Sequence, residues 1–477
     1  MIAVGATVRV QWRRMAGKKL SMFDAMFLAG ESREAMMHVG GLLVFTPPRD
    51  AHPQFLRRLA DELRGAVEVF PPWNLRLWTP ELLRNPLQAW ITDDAVDLDY
   101  HVRRSALPSP GDERELGILV SRLHSIPIDF HRPPWEVHFI EGLEGGRFAM
   151  YFKIHHALVD GYTSMKLLAR SLSSDPAERD APMFFSQPPR PRPPREANGE
   201  PVATFDAVLA GARDQISATR EASRAIMNVF RAARAGDRDL VAPSAAPRTI
   251  LNRRISRNRR FATQQYPIAR MRELARAGGG TLNDVALAVC GGALRRYLTE
   301  LDALPAQALT AMLPVNIRPK DDPGGGNAVG AILGSLATDL DDPAARLAAI
   351  IASTKRAKDQ LAGMSRNAIM QYSAALLAPM MLQQVPGAHT WARPGFNVVV
   401  SNVPGPEEPL YFRGARLDAL YPLSIPYHGY GLNITINGYA GTLNFGFTGC
   451  RNAVPHLQRL AVYSGDELAA LAQALAA

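Results

Sequence analysis

Apolar and polar residues along this chain fall into two spacings. One is a twofold alternation that suits half-buried strands, and the other a spacing near 3.6 that suits helices. Strand patterns run over His38 to Phe45, Trp135 to Glu141 and Phe148 to Ile154, and Gly145-Gly146 between the last two signals a hairpin. Pro53 to Val69 predicts a helix with Phe55, Leu56, Leu59 and Leu63 on one side. Glu113 to His124 predicts a second helix, and a third begins near Tyr162.

The pattern then breaks. Ser186 to Arg195, rich in proline and arginine, can hold neither a helix nor a central strand and reads as an extended linker. Helical spacing returns over Thr204 to Ala235, where Phe205, Val208, Ala212, Ile216, Ile226 and Phe230 fall near one face. Arg213, Arg220, Arg224 and Arg231 form a stripe beside it. Such a helix either bridges two domains, the better reading, or lies on an anionic membrane. Beyond an arginine-dense run at Asn252–Arg260, strands are expected near Phe261 and over Leu309–Asn316, Val329–Asp339, Phe396–Ser401, Gly431–Asn437 and Thr442–Thr448. Thr281-Leu-Asn-Asp284 has capping-box spacing ahead of an apolar helix reaching Tyr297, and two helices fill Pro343 to Gln384. The layout is that of a mixed α/β (α+β) protein whose second half repeats the plan of the first. Residues 1–19 read as a disordered N-terminus, 20–185 and 249–477 as the two domains, and 186–248 as linker and bridging helix.

At 477 residues, with 47% hydrophobic and 21% charged side chains, the chain has the composition of a soluble globular protein. A formal charge of +9 invites an anionic partner. Nucleic acid is disfavoured, because no nucleic-acid module is recognisable and the arginines are not interleaved with aromatics. Coenzyme A and anionic lipid remain. Two cysteines, Cys290 and Cys450, in apolar contexts fit a reducing compartment rather than a disulfide framework. Residues 1–20 lack the apolar run of a signal peptide, and no segment approaches the ~20 apolar residues of a membrane span.

Chemistry concentrates in His155-His156-Ala157-Leu158-Val159-Asp160-Gly161, between the Phe148 strand and the helix that follows it. A lone histidine is more often a satisfied core residue. Two of them at a strand-to-loop transition, with an aspartate and a glycine following, suit proton transfer at neutral pH. Adjacent strand residues point apart, and no Cys or His cluster has ligand spacing, so a metal site is not expected.

The His-His-x-x-x-Asp-Gly pattern resembles the signature of acyltransferases that use coenzyme A thioesters. Leu20–Asp24, Met37–Gly41, Pro134-Trp135-Glu136, Asn283-Asp284, Pro314–Pro319 and Ser401–Pro406 occur in the order of their counterparts in the bacterial wax ester synthase/diacylglycerol acyltransferase family. Pro133-Pro134 stands where the family has Pro-Leu. The resemblance implies two chloramphenicol acetyltransferase-like domains with a central channel between them, the histidines at its middle, and transfer of a long-chain acyl group from acyl-CoA to diacylglycerol or a fatty alcohol. It makes His156 the general base, through the His-x-x-x-Asp spacing shared across the superfamily, with His155 orienting it or packing beneath it. It gives Asp160 a structural ion pair, for which Arg318 is the suggested partner, and Gly161 a backbone conformation other residues avoid. Trp135 belongs to the motif framework, and Asn283, Asp284, Ser401 and Asn402 are candidates to position substrate or stabilise the oxyanion. No cofactor is implied beyond acyl-CoA as substrate, and no metal. Peripheral contact with the inner membrane face or lipid droplets of a cytoplasmic protein is expected, and a homodimer is compatible with the chain. The competing readings are a condensation-type domain that uses carrier-protein thioesters and a non-catalytic lipid-binding protein on the same fold.

Overall fold

The computed structural model describes residues 18–65, 67–189, 217, 219–229, 231, 239–243, 245–316, 329–385, 387 and 391–476. They fall into two compact units. The first comprises the described residues up to Pro189, with Arg257–Phe261 and Gly405–Ile425; the second takes the rest.

A six-stranded sheet organises the first unit, in the order Tyr411–Phe412, Ala415–Leu423, His38–Thr46, Phe148–His155, Trp135–Glu141, Val102–Ala106. Neighbours are antiparallel except the last pair, which is parallel. Between Trp135–Glu141 and Phe148–His155 the chain reverses through Gly145 and Gly146 at φ 72° and 70°, a region glycine enters without steric cost. Helix Glu113–His124 lays Leu116, Leu119 and Val120 on the face formed by Leu42, Val44, Ile140, Ala149 and Tyr151. The fit follows from the two periods, 3.6 on the helix and 2 on the strands.

Two strands of this sheet, Tyr411–Phe412 and Ala415–Leu423, correct the expected domain limits, because they come from within 249–477. Local pattern hides the longer one. A bulge between Leu417 and Ala419 shifts the register, so its alternation fails midway, and Pro422 reads as a strand breaker.

The second unit is built on another six-stranded sheet, ordered Val329–Ser335, Thr310–Asn316, Val398–Val403, Leu432–Tyr439, Thr442–Cys450, Arg259–Pro267. Val398–Val403 runs parallel to both of its neighbours. Helix Leu282–Glu300 is buried from Asp284 through Leu294, and Pro343–Leu361, Arg366–Gln383 and Gln458–Ala474 complete the helical part. Thr281 and Asp284 form the expected capping box.

Of the segment expected as a bridging or membrane helix, residues 219–229 are described and helical. Ala222, Ala225 and Val229 are buried against Tyr372, Leu376 and Met380. Within 219–229 that face, Ile226 included, packs on the core of its own unit, while Phe205, Val208, Ala212, Ile216 and Phe230 lie outside the described residues. Arg220, Arg224 and Arg231 are exposed, and Arg213 lies outside the described residues. Leu240 and Ala242 join the same cluster, so the linker expected over 186–248 ends within this core. Among the described residues no helix is long and apolar enough to cross a membrane.

One buried ion pair anchors the strand that ends at the histidines. Lys153 has no exposed surface, and its Nζ lies 3.4 Å from Glu136 while donating to the carbonyls of Ile126 (2.9 Å) and Leu123 (3.3 Å). Glu136 also meets His138 at 3.2 Å and Arg103 at 3.7 Å. Burial alone would raise its carboxyl, but the His138 hydrogen bond and the Lys153 and Arg103 charges outweigh it and bring it to about 2. Lys153→Met should therefore lower unfolding free energy by about 3–5 kcal/mol, because it leaves a buried carboxylate short of its main cation. Adding Glu136→Gln should recover part of the loss. Urea denaturation followed by circular dichroism reads both; equal stability of Lys153→Met and wild type would show that the pair is not what holds this strand.

Candidate active site

The Phe148–His155 strand delivers both histidines to one spot, but with opposite duties. His155 points into the core: it is buried, its Nε2 lies 3.3 Å from Glu31 and its Nδ1 accepts from the Ala157 amide at 3.2 Å. Those contacts fix the proton on Nε2, donated to Glu31. Phe130 packs edge-on against the ring, with centroids 5.0 Å apart. His155 is thus a brace beneath its neighbour, with both nitrogens engaged.

His156 is only partly covered. Its amide donates to the Met37 carbonyl, which ties the start of the loop to the segment entering His38–Thr46. The imidazole stacks on Phe27 at 3.9 Å, from helix Met22–Gly30. That helix begins with a capping box of Ser21 and Asp24, within the Leu20–Asp24 segment singled out in the sequence. The ring Nδ1 is buried and has no hydrogen-bond partner among the described residues. Burial pushes the imidazole down to about 4; Asp160 opposes the shift, His155 adds to it and Asp24 opposes it more weakly. The group is therefore neutral across the physiological range.

Asp160 has a capping role that the sequence reading did not anticipate. It caps helix Gly161–Ala169: one carboxylate oxygen accepts from the Thr163 amide and the other from the Thr163 hydroxyl, both at 2.8 Å. Its suggested partner Arg318 lies outside the described residues. Gly161 is the first residue of that helix, without a positive φ, and a side chain built on it would meet nothing within 4 Å. Glycine is not demanded there by backbone strain; the position is simply open.

Trp135 is framework. Fully buried, it stacks on His101 at 4.3 Å and donates Nε1–H to the Trp73 carbonyl at 2.7 Å. In the second unit Asn402 Nδ2 stands 3.5 Å from Asn283 Oδ1, so two of the four polar candidates meet. Ser401 adjoins them, half-buried, on the strand Val398–Val403. Asp284 is excluded as a donor: one oxygen accepts from Thr281 and the other from the Thr354 hydroxyl at 2.7 Å. Sequence reasoning missed Phe27, Glu31 and Lys153. Phe27 and Glu31 lie more than 120 positions before the histidines, with no spacing to betray the contact. Lys153, a charge in an inward strand position, was the one readable signal. No group of three or more His, Cys, Asp or Glu residues able to hold a metal ion occurs among the described residues.

Residues 20–286 match the catalytic domain of wax ester synthase/diacylglycerol acyltransferases, and residues 325–472 match the C-terminal domain of the same enzymes. The chain belongs to the wax ester synthase/diacylglycerol acyltransferase family. It is 53% identical to a putative diacylglycerol O-acyltransferase of Mycobacterium tuberculosis, over 96% of this chain and 97% of that one. It is 40% identical to the O-acyltransferase WSD of Acinetobacter baylyi, over 94% and 96%. The solved wax ester synthase/diacylglycerol acyltransferase of Marinobacter aquaeolei VT8 superposes with a TM-score of 0.75 at 36% identity, covering 96% of this chain and all of that one. A condensation domain of the CDA synthetase shares the fold alone, at 18% identity and a TM-score of 0.57. This member of the family is an acyltransferase with the two-domain chloramphenicol acetyltransferase-like fold.

The capping role of Asp160 reverses what an ion pair would predict. Asparagine caps helices as well as aspartate does, so Asp160→Asn should leave the melting temperature nearly unchanged, whereas Asp160→Ala should cost about 1 kcal/mol. Thermal denaturation of the two variants checks this. A large loss in Asp160→Asn would restore the ion pair.

Proposed function

We propose that this acyltransferase moves a long-chain acyl group from acyl-CoA to diacylglycerol or a long-chain alcohol, with His156 as general base and direct transfer in a ternary complex. The observation that carries the reading is the state of His156: a half-buried imidazole, neutral at physiological pH, with an orphaned Nδ1 and an immobilised ring. Since Nδ1 is buried, Nε2 is the nitrogen that meets substrate. It takes the proton of the acceptor hydroxyl as the oxygen attacks the thioester carbonyl. The tetrahedral oxyanion then collapses, and the coenzyme A thiolate leaves and regains a proton from the imidazolium. An alcohol needs this help; a thioester needs no prior activation. The polar pair Asn283 and Asn402, with Ser401, is our candidate for the oxyanion donor. No metal or further cofactor enters these steps. Names of relatives support the acceptor classes: the M. tuberculosis relative carries diacylglycerol in its name, and the Marinobacter protein carries wax ester as well. Because such acceptors reside in membranes and droplets, we place the protein at the cytoplasmic membrane face or the droplet surface, in peripheral contact.

Purified His156→Ala should lose two to four orders of magnitude in thiol release from palmitoyl-CoA plus hexadecanol or diacylglycerol, the usual worth of a general base. His155→Ala should lose less, and through stability as much as turnover. Near wild-type rates in folded His156→Ala would assign the base elsewhere.

The acid limb of kcat/KM tests the environment of the base. A base works only when deprotonated, and its pKa is lowered, so activity should persist well below pH 6.5 and fall toward pH 4. A limb centred at 6.5 would mean an ordinary, solvated histidine.

A further inference from the structure

The second unit contains a basic cavity that the acyl-transfer machinery does not use. It measures about 290 Å³, at the small end of small-molecule sites, and Arg248, Arg253, Arg254, Asn252 and Gln383 line it with Thr249. Arg253 and Arg254 are exposed, and neither forms an ion pair with a described residue. Gln383 is nearly fully buried, and its Nε2 donates to the Ala392 carbonyl at 2.9 Å. Its Oε1, also buried, has no hydrogen-bond partner among the described residues. The cavity thus offers cations for an anion and one buried acceptor for a hydroxyl.

Its rim has the opposite chemistry. Leu382 and Val385, on either side of Gln383–Gln384, are 42% and 51% exposed, and Trp391, next to the lining residue Ala392, is 64% exposed. Between Arg366 and Arg393 the described sequence carries no Lys, Arg, Asp or Glu, and beyond Asn367 the exposed residues of helix Arg366–Gln383 are Met370, three alanines, Met381 and Leu382. Arginines behind exposed Leu, Val and Trp are the arrangement of a surface that lies at a lipid interface, with the indole at headgroup depth. A purely soluble phosphate compound would explain the arginines but not the exposed apolar rim.

We propose that this cavity and its rim are the membrane-docking site of the protein, taking the phosphodiester of an anionic lipid on Arg253 and Arg254, and a headgroup hydroxyl on Gln383, while Leu382, Val385 and Trp391 enter the acyl boundary. The proposal rests on the peripheral contact proposed above and names its surface. The occupant is an anionic glycerolipid with a polyol headgroup, of which phosphatidylglycerol is the simplest probe.

Flotation of the full chain with phosphatidylglycerol/phosphatidylcholine vesicles and with pure phosphatidylcholine vesicles tests it. Wild type should bind the mixed vesicles well and the neutral ones poorly. Arg253→Gln/Arg254→Gln should weaken binding at least tenfold, each arginine near an anionic surface contributing about a factor of five. Trp391→Gln/Leu382→Gln should weaken it at any salt concentration. Activity on detergent-dispersed substrate should be unchanged in both variants, which also shows that they fold. Vesicles of phosphatidic acid, which lacks the headgroup hydroxyl, should bind less well than phosphatidylglycerol at matched surface charge; equal binding overturns the role of Gln383. If wild type ignores all vesicles, the peripheral contact itself fails, and the docking site with it. If wild type binds but the variants bind equally, contact is real and this site is wrong. A raised KM for palmitoyl-CoA in detergent, with flotation unchanged, would overturn the lipid assignment in favour of a soluble phosphate.

Discussion

A lysine ammonium with no access to water sets the terms for the first sheet. Lys153 stands two positions before His155 on the same face of its strand, and the alternation of strand residues makes its burial inseparable from that of the histidine. Burying such a charge is tolerable only with an anion and further acceptors in place, and Glu136 and two helix-end carbonyls supply them. Those partners lie on the neighbouring strand and at the end of Glu113–His124. The position of the strand across the sheet and under the helix is thereby fixed, and with it the point where the chain turns out at His156. The Pro-Trp-Glu motif takes its meaning here: its tryptophan fills the core and its glutamate neutralises Lys153.

The same enclosure explains the difference between two adjacent, chemically identical side chains. His155 is drawn into the polar interior and satisfied at both nitrogens. His156, one peptide later, meets an aromatic face and leaves one nitrogen orphaned. Desolvation that outweighs the nearby Asp160 charge keeps this imidazole neutral, and a neutral imidazole is what a proton acceptor must be. The aspartate four residues on contributes by charge and by capping its helix, and no direct hydrogen bond to His156 is needed for either.

Much of this was legible. Strands Trp135–Glu141 and Phe148–His155, helix Glu113–His124 and the Thr281–Asp284 box are declared by short-range spacing alone, because burial on one face imposes a period the sequence must show. The histidine motif stood out by itself as the candidate site. What stayed hidden depends on distance along the chain or on broken periods. Phe27 and Glu31 come to the histidines from a helix and a turn over 120 positions upstream. Gly161 looked like a strained glycine, whereas it opens a helix without a positive φ, and the capping role of Asp160 went unread. Ala415–Leu423 was obscured by its bulge and its proline.

That late strand has a consequence for how the chain comes into being. Its hydrogen-bonding partner, His38–Thr46, sits some 370 residues earlier and is next to the strand of the histidines. During synthesis the first sheet waits for most of the chain with one long edge unpaired, and it is an edge of Gly-Gly-Leu-Leu-Val-Phe with no charge to discourage other strands from joining. The nascent protein therefore carries an aggregation-prone margin until its C-terminal third emerges. Anything that shortens or delays that third endangers the catalytic half first, although none of the histidine motif lies within it.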